Sequence, residues 1–589
     1  MNYLLACAYH KLISNGKNKK SKNNQNDKNK IVICLYCFKN FQNHYNPDVS
    51  INNDDIHHLQ ILNITSNKDV WQKISILIQT MPRLKSMEFN GIKSSKDDNK
   101  MSTQLANTKI ASYAKVTKGL HKSATSIYTI DDALRENLGS SLTTAKYLQS
   151  LIIYNTTFTA KGFEYLANAV RNNMRITFLS VRSSVPPKCD KWLIFMLNEN
   201  TVLKKLKLSH IDTDIYGRTS WRNCSWLEKN TTLKSLSIDN VPMGAFMSNF
   251  KKYFAQNATL KSLRLSNCIK EYYDDKRYEY IQNMTSFFER AFMTNATLTK
   301  LDLSGNLIGC HLNKMQMKYT NNTMKKLVLK NNNIDDIGLK LILKRFCNLR
   351  ELDLYWNSIS KRSSYFLCLY IKKGTLEKLN LSSNACIGFI TLLELLQTSN
   401  TSTANLKTLK TNLSNNNMAW DYSLYHQEIV RHDLENFLNR HLTLKTHEDA
   451  IKYKIAEELE KNTTLKTLDV SCREICSPEL LRRMPNIIRK NSNYKKLYVV
   501  IDDNINEYDI WLALTYNTTL RFFCHFLPNN DDYDNQISYE HIDRELKINN
   551  GKFTSYFFFS VEQLSIYLST NMLIFFLKMM NRYKRNVMA

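Results

Sequence analysis

The chain is poor in glycine, with 13 in 589 residues, and this leaves little scope for the glycine-rich loops that cradle phosphates. None of the patterns G-x-S-x-G, G-x-x-x-x-G-K-[ST], H-E-x-x-H or G-x-G-x-x-G occurs. The expectation is a protein that binds rather than catalyses, without a cofactor. Long apolar runs are missing as well. The most hydrophobic stretch, from Tyr556 to Met580, is interrupted by Glu562, Gln563, Ser565, Ser569, Thr570 and Asn571, so it reads as a cap over a core rather than a membrane span. Paired cysteine spacing is absent from the 13 cysteines, an odd number. Cys34-Leu-Tyr-Cys37, with His44, His57 and His58 downstream, lacks the His-x3-5-His pair that would complete a zinc site, and no metal is expected. The first ten residues carry no leading positive stretch, a poor secretory signal. Reduced thiols then place the protein inside the cell, in the cytoplasm or, given the lysine run described below, the nucleus.

What the chain does contain is a repeat. Leu298, Leu301, Leu303, Asn306 and Ile308 stand at offsets that return at Met324, Leu327, Leu329, Asn332, Ile334 and at Leu349, Leu352, Leu354, Asn357, Ile359. A fourth copy has Leu376, Leu379, Leu381 and Asn384, with Cys386 in the last slot; the starts are 26, 25 and 27 residues apart. Two of the leucines are two residues apart, so on a strand they share one side, and the residues between them face the other. The asparagine leaves the strand, where its amide can satisfy backbone groups that bend away from the ladder. The second half of each unit is helical. Thr159 to Asn172 and Asp335 to Phe346 are the clearest cases, and Leu339, Ile342, Leu343 and Phe346 form a stripe at i, i+3, i+4 and i+7. One such unit cannot bury its leucines alone; stacked neighbours can.

The pattern L-x-x-L-x-L-x-x-N-x-I resembles that of leucine-rich repeat proteins. The long helical half, with Gly162, Leu166, Ala167, Ala169 and Val170 in its frame, resembles the ribonuclease-inhibitor-like (RNI-like) superfamily. The resemblance implies an α/β leucine-rich repeat solenoid, a horseshoe with parallel strands on the concave face and helices on the convex face. It also implies a protein-binding role; GTPase activation, known in that superfamily, is the least favoured function because no arginine can be placed on the early-repeat position that this activity uses and the C-terminus is basic. Units are expected to start near Leu148, Leu203, Leu233, Leu260, Leu298, Met324, Leu349, Leu376, Leu406, Leu465, Tyr494 and Leu520. Poorer ones are expected at Leu59, Leu84 and Arg175, and a degenerate unit near Leu442 in the long gap after Leu406.

The organisation read from this is a basic, partly disordered segment 1–56, a solenoid over 57–555 with insertions near 94–140 and 412–449, and a C-terminal cap over 556–589. Lys11, Lys17, Lys19, Lys20, Lys22, Lys28 and Lys30 crowd the first segment. The triplets at Asn230, Asn257, Asn295 and Asn462 have the form of glycosylation acceptors, but they recur in phase just before each strand. They are therefore read as structural asparagines that end the preceding helix in the left-handed conformation. Binding is expected at the exposed strand positions: Lys205, Lys207, Arg264, Lys300, Asp302, Lys326, Lys330, Glu351, Asp353, Tyr355 and Trp356. Tyr355 and Trp356, aromatic among charges, have the composition of interface anchors. The expected partner is a protein, and the chain is expected to be monomeric. The alternative is nucleic acid or an anionic membrane, because 81 Lys+Arg against 53 Asp+Glu give a net charge of +28.

Overall fold

The computed structural model describes residues 30–34, 57–62, 84–90, 130–182 apart from Thr157, 189–210, 225–241, 247–268, 295–312, 320–384, 388–411, 447–470, 478–500, 522–526, 546–549 and 552–555. It adds scattered positions within 71–92 and 509–520, with Val185 and Phe287. Residues 1–386 and 387–589 form two compact units.

In the first unit, successive strands lie side by side in chain order, all parallel. They are β1 (Lys30–Cys34), β2 (His58–Leu62), β3 (Ser86–Asn90), β4 (Ser150–Tyr154), β5 (Phe178–Arg182) and β6 (Lys205–Ser209). The ladder continues through β7 (Ser235–Asp239), β8 (Ser262–Ser266), β9 (Lys300–Asp302), β10 (Lys326–Val328), β11 (Glu351–Asp353) and β12 (Lys378–Asn380). The register follows from burial. Leu263, Leu301, Leu327, Leu352 and Leu379 face one another across neighbouring strands, each at most 1% exposed. A one-residue slip would turn every one of them to solvent. Burying a leucine contributes roughly 1.5–3 kcal/mol, so the column is a major source of the unit's stability.

Helices close the repeats. In α1 (Ala160–Asn172), Phe163, Leu166, Ala167 and Val170 are buried, and Thr159 caps the N-terminus by accepting a bond from the Gly162 N–H at 3.1 Å. In α2 (Asp336–Arg345), Asp335 does the same for Gly338 at 2.8 Å. Phe250, Phe254 and Phe287 form an aromatic cluster with ring centroids 5.3–5.9 Å apart.

The second unit repeats the scheme. β13 (Thr408–Lys410), β14 (Thr467–Val470), β15 (Lys496–Val500) and β16 (Phe522–Phe526) are parallel neighbours, followed by the antiparallel β17 (Leu546–Asn549) and β18 (Lys552–Ser555). α3 (His447–Glu460) and α4 (Pro478–Lys490) separate its strands.

Several boundaries differ from expectation. Lys30–Cys34 pairs with His58–Leu62, so the ladder begins inside the segment assigned to 1–56. A helical stretch from Ile130 buries Leu134, Leu138 and Leu142, so the insertion ends before 140. β13 pairs directly with β14, which removes the repeat expected near Leu442: the residues between hold an insertion and α3, with no strand added to the ladder. Leu59 and Ile61 align with Met87 and Phe89, so Leu59 is the second leucine position of its unit and not, as the pattern suggested, the first. Similarly, Ile176 rather than Arg175 opens its unit, being fully buried. The expected cap at 556–589 lies outside the described residues. Among the described residues no helix is long and apolar enough to cross a membrane.

Candidate protein-binding face

Between the buried leucines, the outward strand positions form a surface whose side chains are organised by their register. Glu351 stands between Lys326 and Lys378 on the adjacent strands. It takes Lys326 Nζ at 2.7 Å on one carboxylate oxygen and Lys378 Nζ at 2.6 Å on the other. Burial works against ionisation of Glu351, but hydrogen bonds and charge from the two lysines outweigh it and hold the carboxyl below its ordinary value of 4.5. One row further along, Asp353 pairs with Lys330 at 3.1 Å and accepts from Asn380 at 2.9 Å. The Lys330 ammonium lies 5.8 Å from the centre of the Tyr355 ring. On β8 and β9, Arg264 reaches Asp302 at 3.5 Å and Asp239 at 4.0 Å, with Ser266 donating to the same Asp239.

Glu351 has a readable consequence. A carboxyl whose folded pKa is depressed contributes stability above its unfolded value and loses it as pH falls through the folded value. Glu351→Gln should therefore lower stability by about 0.5–1 kcal/mol at neutral pH. The difference from wild type should shrink once pH drops below 4.5 and vanish beneath the lowered folded value. Urea titrations at neutral and acid pH check this; an equal difference at both would show that the ion pairs are not its source.

Thus Arg264, Asp302, Lys326, Lys330, Glu351, Asp353 and Tyr355 fall into local networks, joined by Asp239, Lys378 and Asn380. Lys205, Lys207 and Lys300 stand apart from any ion pair, although Lys207 lies 5.7 Å from the Phe178 ring centre. Trp356 is 60% exposed and meets Tyr355 edge-on, with centroids 6.2 Å apart at 81°.

The backbone beneath Trp356 is unusual for such a residue. The fifth position after each strand's first residue turns left-handed: Asn155, His210, Asn240, Asn267, Gly305, Asn331, Trp356 and Ser383 all have φ between 47° and 70°. Glycine and asparagine adopt that region readily, whereas a bulky side chain there costs on the order of 1–2 kcal/mol. The tryptophan is held in place by its repeat, its N–H donating to the Ser382 carbonyl at 3.0 Å. Sequence reasoning singled out Trp356 by composition; the repeat alignment carried a second signal, a tryptophan in an Asn/Gly slot.

The asparagines form two buried columns. Asn306, Asn332, Asn357 and Asn384 are at most 6% exposed and bridge neighbouring repeats. The amide of Asn332 donates to Leu303 O at 3.0 Å and Lys330 O at 3.1 Å, while its oxygen accepts from Asn306 N–H at 3.0 Å. Cys268 takes this slot in its own unit, with Sγ 3.4 Å from Ser266 O, and burial pushes its thiol pKa up. The in-phase triplets supply the other column. Asn230, Asn257, Asn295 and Asn462 are 3–6% exposed. They do not end helices in the left-handed conformation: Asn230, at φ −79° and ψ 111°, has extended backbone. Its side chain instead accepts from Thr232 and Leu233 N–H and donates to Leu197 O of the preceding repeat. The structural reading of these triplets stands, with a different geometry.

A sequence profile described as leucine rich repeat matches residues 294–309 and 320–343. With the stacked strands and asparagine columns, these matches identify the repeating units as leucine-rich repeats. A solved structure described as the crystal structure of the Rad7 and Elc1 complex in yeast is similar at 16% identity, covering 75% of this chain and 90% of that one at a TM-score of 0.37. No curated protein sequence matches.

Proposed function

We propose that this protein is an intracellular interaction scaffold or recognition subunit, binding a protein partner over the strand face of β10–β12 with Tyr355 and Trp356 as anchors. The observation that carries this reading is the left-handed, exposed Trp356. Local strain that a neighbouring repeat avoids with Asn331 points to selection for something other than stability. Around it, the Lys326–Glu351–Lys378 and Lys330–Asp353 pairs hold charged groups in place before a partner arrives. With three lysines against two carboxylates they leave this part of the face only one positive charge in excess, which does not favour the alternative of nucleic acid or an anionic membrane at this site. An intracellular setting is supported by the buried Cys189 and Cys268, neither of them in a disulfide, and by the sealed triplet asparagines.

Trp356→Asn is the decisive variant. Asparagine suits the backbone, so the fold should be as stable as wild type or gain about 0.5–1 kcal/mol. Partner affinity should fall by about 2 kcal/mol, near thirtyfold, as for a truncated aromatic anchor. Urea unfolding measures the first, and affinity capture from cells followed by titration of the recovered partner measures the second. An unchanged partner set with unchanged affinity would remove Trp356 from the site.

A further inference from the structure

The residue just before each strand forms a row of its own. Its backbone N–H donates to the carbonyl of the same position one repeat earlier: Lys204 to Thr177, Lys234 to Lys204, Lys261 to Lys234, Thr299 to Lys261, Lys325 to Thr299 and Arg350 to Lys325, all at 2.8–3.0 Å. The row therefore has a fixed step, about 4.8 Å per strand, and covers roughly 19 Å from Lys204 to Lys325. In the second unit the same position holds Lys407, Lys466 and Lys495, linked in the same way.

Within the first unit, Lys204, Lys234 and Lys261 occupy three adjacent rungs, all exposed and none in an ion pair. Lys205 and Lys300, beside the row, are exposed too, and Lys325 is half-buried. The turn segments 174–178, 201–205, 231–235, 258–262, 296–300 and 322–326 contain no Asp or Glu at all. Like charges on directly opposed strand positions repel and destabilise. Elsewhere on this sheet the chain relieves such repulsion with an interposed acid, as Glu351 does between two lysines. At Lys204, Lys234 and Lys261 no acid among the described residues is interposed, whereas further along the row Arg350 is met by Glu377 at 3.9 Å.

We propose that the Lys204–Lys234–Lys261 row, with Lys205, Lys300 and Lys325 at its flanks, is a docking strip for an extended acidic segment of a partner protein. A strip one side chain wide matches a linear polyanion, not the plane of a bilayer. An extended peptide advances about 3.3 Å per residue, so its same-side carboxylates recur about every 6.6 Å against about 4.8 Å between rungs; the flexible lysine stems, not a one-to-one register, take up the difference. The rungs from Lys204 to Lys325 carry no aromatic side chain, and the one ring at their edge, Phe178 beside Lys205, is no succession of platforms on which bases would stack, which argues against single-stranded nucleic acid. Lysine, a compact charge on a flexible stem, suits carboxylates at loosely defined positions. This strip is distinct from the Trp356 anchor and does not depend on it.

The test uses the full chain and a fluorescein-labelled peptide of alternating Glu and Ser, with an oligouridylate of equal charge beside it, followed by anisotropy across a salt series. The triple variant K204Q/K234Q/K261Q should bind the peptide about tenfold more weakly at about 50 mM salt. K191Q/K229Q/K252Q removes the same charge from helices and should change affinity less than about twofold. Thermal melts of both variants, whose altered residues are exposed, check that the fold is intact. The proposal fails if the two variants weaken binding equally, since net charge alone would then explain it. It also fails if wild type does not bind the peptide at low salt, or if the oligouridylate binds more tightly than the peptide.

Discussion

Asn332→Ala is expected to lower the unfolding free energy by about 3 kcal/mol, one of the largest effects available from a single uncharged substitution in this protein. Asn332 is fully buried, and three of its hydrogen bonds leave its own backbone for neighbouring chain segments. The two carbonyls it serves have other donors: Leu303 O also receives the Asn306 amide at 2.8 Å, and Lys330 O the Gly305 N–H at 2.8 Å. The Asn306 N–H loses its short bond outright, and a buried unsatisfied donor costs about 1–3 kcal/mol. The loss therefore falls mainly on the Asn306 peptide group, with the longer 3.5 Å bond from the Ile308 N–H and packing lost as well. Asn332→Asp should be no better, because it presents carboxylate oxygen to two carbonyls. Asn332→Cys should cost about half as much as alanine, since a thiol remains a weak donor, as Cys268 is in its own repeat. Urea unfolding followed by circular dichroism measures the series; an alanine variant within about 0.5 kcal/mol of wild type would show that water replaces the amide.

Gly309→Ala is expected to cost about 3 kcal/mol for a different reason, overpacking rather than a lost bond. A Cβ at this position would lie 2.1 Å from the Asn333 carbonyl oxygen and 2.6 Å from the Ile334 nitrogen. Both are backbone atoms, so no side chain can rotate away. The approach is also useful to the fold, because the Gly309 N–H donates to Asn332 O at 2.9 Å. Alanine must push two repeats apart or abandon that bond. By contrast, Gly388→Ala has open space around the new methyl group and should be neutral within about 0.5 kcal/mol. Comparing the two by thermal melting separates close approach from a general penalty for losing glycine; equal effects would refute the steric account.

The leucine columns, the helices that begin at Thr159 and Asp335, and the face carrying Glu351 to Trp356 could all be read from spacing. Each depends on contacts set by a local period, two on a strand and near four on a helix, and those periods are written along the chain. The irregular units were read less well. At Leu59 a hydrophobic sits in both candidate registers, and only pairing with Met87 selects one. In the gap after Leu406 length alone suggested an extra repeat, yet β13 meets β14 directly. Length counts residues and cannot tell a strand from an insertion.

The candidate face shows the same division. Its residue identities were legible, and their grouping was not. Glu351 finds Lys326 and Lys378, 25 and 27 residues away in sequence, because parallel register brings them abreast. The Lys204–Lys234–Lys261 row was overlooked because each lysine sits next to a leucine in an ordinary turn, and it acquires meaning only as a stack. The sequence by itself determined the repeating unit and which face each residue takes, because those follow from periods within one repeat. The tertiary structure alone decided which charges neutralise one another, which asparagines bridge, and where lysines are left facing lysines. Those outcomes depend on distances of a few ångströms between repeats, and stacking is what creates them.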